Sequence, residues 1–324
     1  MSEPSTSKRQ RTQETLPITL FKLGRMIGTD EDAVSFAQEH GLLPRYSFCP
    51  SCSAKLETLS IMKRASRPVN YRFRCRKRAC RGARCEVSVK KGTWFEGSHI
   101  SVTKSLLLMN CFAWHLSSRQ AVVQTALDTS TSTETVTDFY NYCREIYVEQ
   151  LFQGQEAKQI GGPNMTVEID EAKFGKRKFN RGRVVEGQWV LGGICRETRE
   201  CFFVPVEDRT ENTLLSIILK YVRLGTIIHT DCFASYQNLV AHGYQHLTVN
   251  HTENFVDPDT GACTNLIEST WWAIRRGLPS NSAGKKYFAS HLAEYIWRKK
   301  HRDEADQFLA FMRAAKDVYP GVGA

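Results

Sequence analysis

The order of strand-like and helix-like segments beyond residue 164 constrains the fold of this chain more than any other feature. A glycine-containing linker at 154–164 precedes three short apolar segments that are typical of strands. Segments typical of helices and strands then alternate, and an irregular loop and further helices follow to the end. This order predicts a mixed α/β sheet with flanking helices. The predicted strands are 166–170, 188–195, 201–206, 226–230 and 246–250, and the predicted helices among them are 211–223 and 234–242.

Two close pairs of cysteines predict a small metal-binding domain ahead of this sheet. The pairs are Cys49-x2-Cys52 and Cys75-x4-Cys80, and each can present two thiolates to one Zn²⁺ ion in tetrahedral geometry. The second spacing is longer than the commonest ribbon spacing, so Cys85 is an alternative ligand. Ordinary cysteines in a basic loop are the other interpretation, but four thiols in so polar a segment have no obvious packing role.

Composition favours a soluble, intracellular protein with a polyanionic partner. The 324 residues allow two or three domains. No apolar run approaches the roughly 18 residues that a membrane span needs, so we expect no membrane partner. Eleven cysteines, an odd number and mostly isolated, favour a reducing compartment. The net charge of +10 favours a partner such as nucleic acid.

The basic residues near the cysteines and the helices that follow favour DNA binding. Residues 62–91 contain twelve Lys or Arg and one acid, Glu86. Such cations contact phosphates, which adds affinity more than sequence choice. The segment 101–153 has the pattern of a helix-turn-helix, because two helices and a polar turn precede a longer helix. The candidate phosphate contacts in the ribbon are Arg74, Arg76, Lys77 and Arg78.

Three acids in the C-terminal half, Asp170, Asp231 and Glu268, lie at the ends of apolar segments or on a predicted helix. Two acids at neighbouring strand tips and a third on a helix can bind two Mg²⁺ ions, which together stabilise the attacking and leaving oxygens of phosphoryl transfer. Each acid alone is more simply explained as a turn former or a helix cap. By strand alternation, Glu171 should point to the side opposite Asp170.

Several motifs in this half, taken together, resemble the catalytic domain of Merlin-type DNA transposons, which are eukaryotic relatives of a bacterial insertion-sequence transposase family. They are "VEIDEAKFGKRKFNRGR", "QWVLGGICRETRECFFVPVEDRT", "HTDCFASY" and "NHTENFVDPDTGACTNLIESTWWAIRRGLP". The segment "CPSC…RCRKRAC…SVKKGTWFEGSHI" resembles the zinc ribbon that precedes that domain. The resemblance covers roughly residues 45 to 280. It implies an RNase H-like fold with a DDE triad at Asp170, Asp231 and Glu268, and zinc ligands at Cys49, Cys52, Cys75 and Cys80.

Residues near the triad have candidate roles and simpler alternatives. The basic segment 173–183 would hold a DNA strand beside the metals, or it is a solvated hairpin. Arg275, two helical turns after Glu268, would contact the scissile phosphate, or it is a surface residue. His251 and Asn265 would support the metal ligands, or they only bond within their loop. The candidate DNA contacts in the basic segment are Lys176, Arg177, Lys178, Arg181 and Arg183.

These observations favour a DNA transposase that binds inverted-repeat ends and catalyses metal-dependent strand cleavage and strand transfer. It would use two Mg²⁺ (or Mn²⁺) ions and one structural Zn²⁺ ion, with double-stranded DNA at transposon ends and target sites as partner and no small-molecule substrate. Joining two ends requires at least a homodimer. A domesticated DNA-binding protein without transposition activity is the alternative, and a general RNase H-like nuclease is a third.

The predicted organisation has six parts, and the first carries a basic cluster, Lys8-Arg9-Gln10-Arg11, that predicts nuclear import and a nuclear location. The parts are a disordered basic tail (1–16), a short helical lead-in (17–45), the zinc ribbon (46–100), the helix-turn-helix region (101–153), the RNase H-like catalytic domain (164–300), and a C-terminal helix and tail (301–324).

Overall fold

The computed structural model describes residues 16–62, 70–80, 85–126, 131–152, 158–175, 187–278 and 285–320. The chain divides into two compact units. Unit 1 comprises Met1–Cys143 and His301–Ala324, and unit 2 comprises Arg144–Lys300. The predicted nuclear-import cluster at 8–11 lies outside the described residues, so it stays a prediction. No helix in the described ranges is both long and apolar enough to cross a membrane.

The helices of unit 1 begin at well-formed caps and share an aromatic core. Thr29 and Asp32 form a reciprocal capping box at the start of the second helix. Phe112 and Phe311 meet edge to face with ring centroids 5.4 Å apart. The helices are α1 (Leu20–Met26), α2 (Asp30–Glu39), α3 (Val102–Ala113), α4 (Ser118–Gln124), α5 (Thr133–Phe152, which continues into unit 2) and α9 (Gln307–Val318).

Five short strands between α2 and α3 form two small antiparallel sheets in unit 1. β1 (Ser47–Phe48) pairs with β2 (Lys55–Leu56). β4 (Asn70–Arg74) lies between β3 (Leu59–Met62) and β5 (Glu86–Ser88). Sheets this small bury little apolar area, so they need a further constraint such as a bound metal.

A five-stranded mixed sheet organises unit 2, as the sequence predicts. The strands, in chain order, are β6 (Thr166–Phe174), β7 (Gln188–Cys195), β8 (Cys201–Val206), β9 (Ile227–Asp231) and β10 (Gln245–Val249), and the helices are α6 (Glu211–Tyr221), α7 (Asn265–Gly277) and α8 (Lys285–Lys300). The order across the sheet is β10-β9-β6-β7-β8. β6, β7 and β8 are antiparallel to one another, whereas β9 and β10 run parallel to β6.

Apolar side chains cover both faces of this sheet, so each face forms its own core. One face packs on α6 through residues that include Ile169, Leu191, Leu214, Ile218 and Ile228. The other packs on α7 and α8 through residues that include Phe174, Ile194, Ile267, Trp271 and Phe288. Alternation along β6 therefore sends Ile169 and Glu171 to the α6 face, and Glu168 and Asp170 to the α7 face.

The predicted helix at 234–242 is wrong. The chain forms two short 3₁₀ turns instead, Ala234–Tyr236 and Leu239–His242. Ser235 Oγ donates to the Arg209 carbonyl, and Asn238 Nδ2 donates to Glu211. These polar side chains bond to the preceding loop and to α6, which interrupts a continuous helix.

Candidate active site and metal centre

Asp170 lies in β6 on the α7 face, half-buried beside two other acids. Its Oδ2 accepts a hydrogen bond from Trp271 Nε1 at 3.0 Å. Burial, followed by the negative charges of Glu171 and Asp231, raises the pKa of Asp170 to about 7, although the indole N–H favours the ionised form. A carboxyl group whose charge is so poorly compensated is a suitable ligand for a cation.

A glycine opposite Asp170 allows Trp271 to reach it. Gly192 pairs with Asp170 across β6 and β7. A Cβ at position 192 would lie only 2.5 Å from Trp271 Cη2, so a side chain there would displace the indole ring. Trp271 is 2% exposed. Glycine on one strand and tryptophan on α7 thus fix the carboxyl group between them.

Asp231 ends β9, the strand beside β6. The last paired residues of these parallel strands are Glu168 and His229. Asp170 and Asp231 each follow two positions later, on the two adjacent strands. The Phe233 amide donates to Asp231 Oδ1 at 3.0 Å and orients the carboxylate as the chain leaves the sheet. The charge of Asp231 acts on both Asp170 and Glu171. The fold therefore makes Asp170 and Asp231 neighbours.

The position of Glu268 depends on a buried acid that sequence reasoning missed. Glu168, only 1% exposed, accepts hydrogen bonds from the Leu266 and Ile267 amides at 2.8 and 3.0 Å. Its other oxygen pairs with Arg196 Nε at 2.6 Å. A carboxylate at this position satisfies amides that the first turn of α7 leaves unpaired and complements the helix dipole. The start of α7, and with it Glu268, is thereby fixed to β6.

Glu268 itself is exposed in the first turn of α7 and has two polar neighbours. Its Oε1 accepts from Thr264 Oγ1 at 3.1 Å and lies 3.1 Å from His251 Nε2. His251 Nε2 and Thr264 Oγ1 are themselves 2.7 Å apart. His251 thus touches a candidate ligand, as expected of a supporting residue. Asn265, which has the same predicted role, is exposed as the first residue of α7.

The three acids are supported differently and do not yet form one tight ligand set. In the described ranges, the four cysteines alone bring three or more ligand atoms within 4.8 Å of one another. Asp170 and Asp231 are neighbours held by fixed contacts, whereas Glu268 is exposed and can rotate. Carboxylate oxygens supplemented by water are the donors that Mg²⁺ and Mn²⁺ prefer. The donor chemistry therefore fits such a cation, with Glu268 as the adjustable ligand.

Other predicted residues have the following positions. Glu171 points to the α6 face, as alternation requires, and accepts from Tyr236 Oη at 2.8 Å. The Arg275 guanidinium lies 5.2 Å from the centroid of the Phe174 ring, so it packs at the end of β6 on the Asp170 face. The basic residues 176–183, with the candidate contacts Lys176, Arg177, Lys178, Arg181 and Arg183, lie outside the described residues.

The four paired cysteines of unit 1 converge as their spacing predicts. Cys49 and Cys80 have sulfurs 3.9 Å apart, and those of Cys52 and Cys75 are 3.8 Å apart. These separations are far too long for disulfides, whose S–S bond is about 2.05 Å. They match the roughly 3.8 Å edge of a tetrahedron whose centre is about 2.3 Å from each sulfur. The cluster could therefore hold a zinc ion.

Cys85 lies outside this tetrahedron. Its sulfur is 3.4 Å from Ser51 Oγ, and its carbonyl accepts from the Cys75 amide at 3.0 Å. Cys85 therefore supports the ligand loop, and Cys80 supplies the fourth sulfur. Arg74 pairs with Glu86 at 3.3 Å, whereas the other three candidate phosphate contacts, Arg76, Lys77 and Arg78, are exposed.

Comparisons with known proteins find similarities over parts of this chain. Residues 160–300 match the family model of the ISXO2-like transposase domain. An uncharacterized transposase-like protein of Haemophilus influenzae (strain ATCC 51907 / DSM 11121 / KW20 / Rd) is 28% identical over 116 residues, which cover 36% of this chain and 93% of that protein.

Two solved viral structures show weaker likenesses. The HTLV-2 integrase catalytic core domain in complex with magnesium is 13% identical with a TM-score of 0.29, and the match covers 42% of this chain and 86% of that one. The simian T-cell lymphotropic virus intasome in complex with PP2A regulatory subunit B56 gamma is 14% identical with a TM-score of 0.26, covering 60% and 68%. Neither TM-score is high enough to support a shared fold. The family model and the bacterial relative support a DDE transposase family for the segment 160–300.

Proposed function

We propose that this protein is a DNA transposase of the Merlin type, with an RNase H-like catalytic domain at 164–300. The observation that carries the proposal is the adjacency of Asp170, within β6, and Asp231, at the end of the parallel strand β9. The first turn of α7, which contains Glu268, is fixed to β6 through Glu168. The match of 160–300 to a transposase family model and the motifs quoted above support it.

In this proposal Asp170, Asp231 and Glu268 would hold two Mg²⁺ or Mn²⁺ ions, which when bound would supply charge stabilisation for the exchange of a phosphodiester bond. Trp271 orients Asp170 through its N–H, and the Phe233 amide orients Asp231. His251 holds Glu268 through one oxygen, leaving the other free to turn toward the site. Water would be the nucleophile in cleavage, and the freed 3′-hydroxyl would be the nucleophile in strand transfer.

Unit 1 would supply most of the binding to transposon ends. A structural Zn²⁺ ion held by Cys49, Cys52, Cys75 and Cys80 would stabilise the ribbon, because its small sheets bury little apolar surface. The exposed cations of the ribbon and the helices at 101–153, which we propose include a helix-turn-helix, would contact the duplex. Two copies would be needed to bring two ends together, and the chain would act in the nucleus.

The test is a cleavage assay on a duplex that carries the inverted repeats flanking the coding region. The wild-type protein should nick this duplex in Mg²⁺ or Mn²⁺, and Asp170→Asn should abolish nicking without weakening binding to the same DNA. Asp303→Asn is the matched control, because it makes the same change at an exposed site in the other unit. Cleavage by Asp170→Asn would refute the proposed active site. Tight binding without any cleavage by the wild type would favour the domesticated DNA-binding protein.

A further inference from the structure

Arg209, which lies in the quoted motif 188–210 but has no role assigned so far, is held against two aromatic rings beside the acids. The Arg209 guanidinium carbon lies 4.0 Å from the centroid of the Trp189 ring and 4.9 Å from that of Phe233. Phe233 is the residue whose amide orients Asp231. Contacts at these distances are attractive and restrict the rotamers of a long side chain.

The backbone of the Arg209 loop, between β8 and α6, is also fixed. The Arg209 carbonyl accepts from Ser235 Oγ at 2.9 Å. The preceding residue, Asp208, accepts from both the amide and the hydroxyl of Thr210 at 3.0 and 2.7 Å. An arginine held at its backbone and along its ring-contacting face is preorganised, so ordering it on binding a ligand costs little.

The N–H donors of the Arg209 guanidinium have no hydrogen-bond acceptor among the described residues. The structure records no hydrogen bond or ion pair from the Arg209 side chain to any residue in the described ranges. Burial raises the pKa of Glu171, and the positive charge of Arg209 opposes part of that rise. A guanidinium has five N–H donors, and aromatic rings satisfy them poorly. A half-buried group of this kind is suited to an external acceptor.

A second cation contacts the same indole. Lys173 pairs across the sheet with Trp189, and its Nζ is 5.4 Å from that ring centroid. Both cations lie on the α6 face of β6, where alternation also places Glu171. The end of the sheet that carries the acids therefore also carries two cations, and both of them contact the Trp189 ring.

We propose that Arg209, held by Trp189 and Phe233 with Lys173 alongside, is a binding site for a backbone phosphate of DNA. It lies on the α6 face, at the end of the sheet that carries the carboxylates, and Phe233 connects it to Asp231. This inference rests on the proposed function and adds a positioning residue to it. A planar fork of N–H donors matches two oxygens of a phosphodiester. A phosphate held here would fix the strand with respect to Asp231 and so set which bond is attacked.

The test measures binding of the full-length protein to a short fluorescein-labelled DNA duplex by anisotropy over a salt series. Arg209→Gln should weaken binding about tenfold at low salt and reduce the slope of log affinity against log salt by about 1. Arg209→Lys should keep the wild-type slope but lose several-fold in affinity, because an ammonium cannot form the fork. Lys220→Gln, on the exposed surface of α6, removes one positive charge from the same unit and should match the wild type.

The outcomes separate this inference from the proposed function. A slope for Arg209→Gln equal to that of Lys220→Gln and the wild type, with folding confirmed by thermal unfolding, would overturn the phosphate site and leave the transposase proposal standing. If Arg209→Gln does not fold, Arg209→Lys decides, and wild-type affinity in that variant would overturn the site. A wild-type protein that neither binds nor nicks DNA would overturn both.

Discussion

Replacing the buried Glu168 should release the start of α7 and thereby weaken the site at a distance. Glu168→Gln keeps the shape of the side chain but removes the charge that faces two amides of α7 and the Arg196 guanidinium. The single amide oxygen of glutamine can face the α7 amides or Arg196 but not both, and without a charge it accepts more weakly. Arg196 loses its ion pair and keeps its bond from Nη2 to the Cys263 carbonyl.

The expected cost follows from these contacts. Removing one partner of a buried ion pair costs about 3–5 kcal/mol, and a hydrogen bond to a charged group contributes about 1.5–3 kcal/mol. The Arg196 side chain is 29% exposed, so water compensates part of its loss. We therefore expect Glu168→Gln to lower the free energy of unfolding by roughly 2–3 kcal/mol.

The assay is urea unfolding, paired with hydrogen exchange at the Leu266 and Ile267 amides. Glu200→Gln is the control, because the side chains of its ion pair with Lys158 are 38% (Glu200) and 63% (Lys158) exposed. Removing this pair should cost at most about 1 kcal/mol of unfolding free energy. The Glu168 variant should lose protection at the two amides and lose metal-dependent cleavage. Equal stabilities for the two variants, with both amides still protected, would refute this explanation of how α7 is fixed.

Three further predictions follow from the geometry. Gly192→Ala should cost about 1–3 kcal/mol of unfolding free energy and impair cleavage, because its Cβ would overlap the Trp271 ring. The control Gly277→Ala, in open space at the end of α7, should be neutral or slightly stabilising in the same urea measurement. Equal costs for the two variants would contradict the steric argument. Zinc analysis should find one ion per wild-type chain, none in Cys80→Ser and one in Cys85→Ser; retention by the first would show that the ligand set is wrong. In metal-free buffer, the raised pKa of Asp170 means that the folded protein keeps a proton which the unfolded chain loses, so this carboxyl group should lower the stability as pH rises from about 4 to about 7. Asp170→Asn should remove that contribution, and an unchanged pH profile would contradict it.

The sequence predicts the sheet of unit 2 because the order of its segments is a strong constraint. Three successive apolar segments with no helix between them favour neighbouring antiparallel strands, and strands separated by a helix can then pair in parallel. Gly41, with a positive φ of 73°, ends the lead-in helix as a stop residue should. Asp231 ends β9 in line with this order, but the predicted end of the first strand at Asp170 is wrong. β6 continues to Phe174, because Ala172 and Phe174 are buried in the core against α7 and α8.

The supporting contacts could not be read in the same way, because they join residues far apart in the chain. Trp271 donates to Asp170, but neither this tryptophan nor the glycine that admits it gave a local signal for that contact. Glu168 could have been suspected, since an acid two positions before Asp170 shares its face inside an apolar strand. Its partner Arg196 and the start of α7 become apparent only once the chain is folded. Local spacing likewise predicted a helix at 234–242, where side-chain bonds to other segments prevail.

The central claim is that Asp170, Asp231 and Glu268 share a divalent metal site. Crystals of the protein bound to a cleaved DNA end and soaked in Mn²⁺ would test it directly by anomalous scattering at the manganese edge. The account predicts anomalous density between Asp170 and Asp231, with Glu268 turned to complete the coordination. Density elsewhere in the chain, or Glu268 still bonded to His251 with Mn²⁺ bound by other groups, would contradict it.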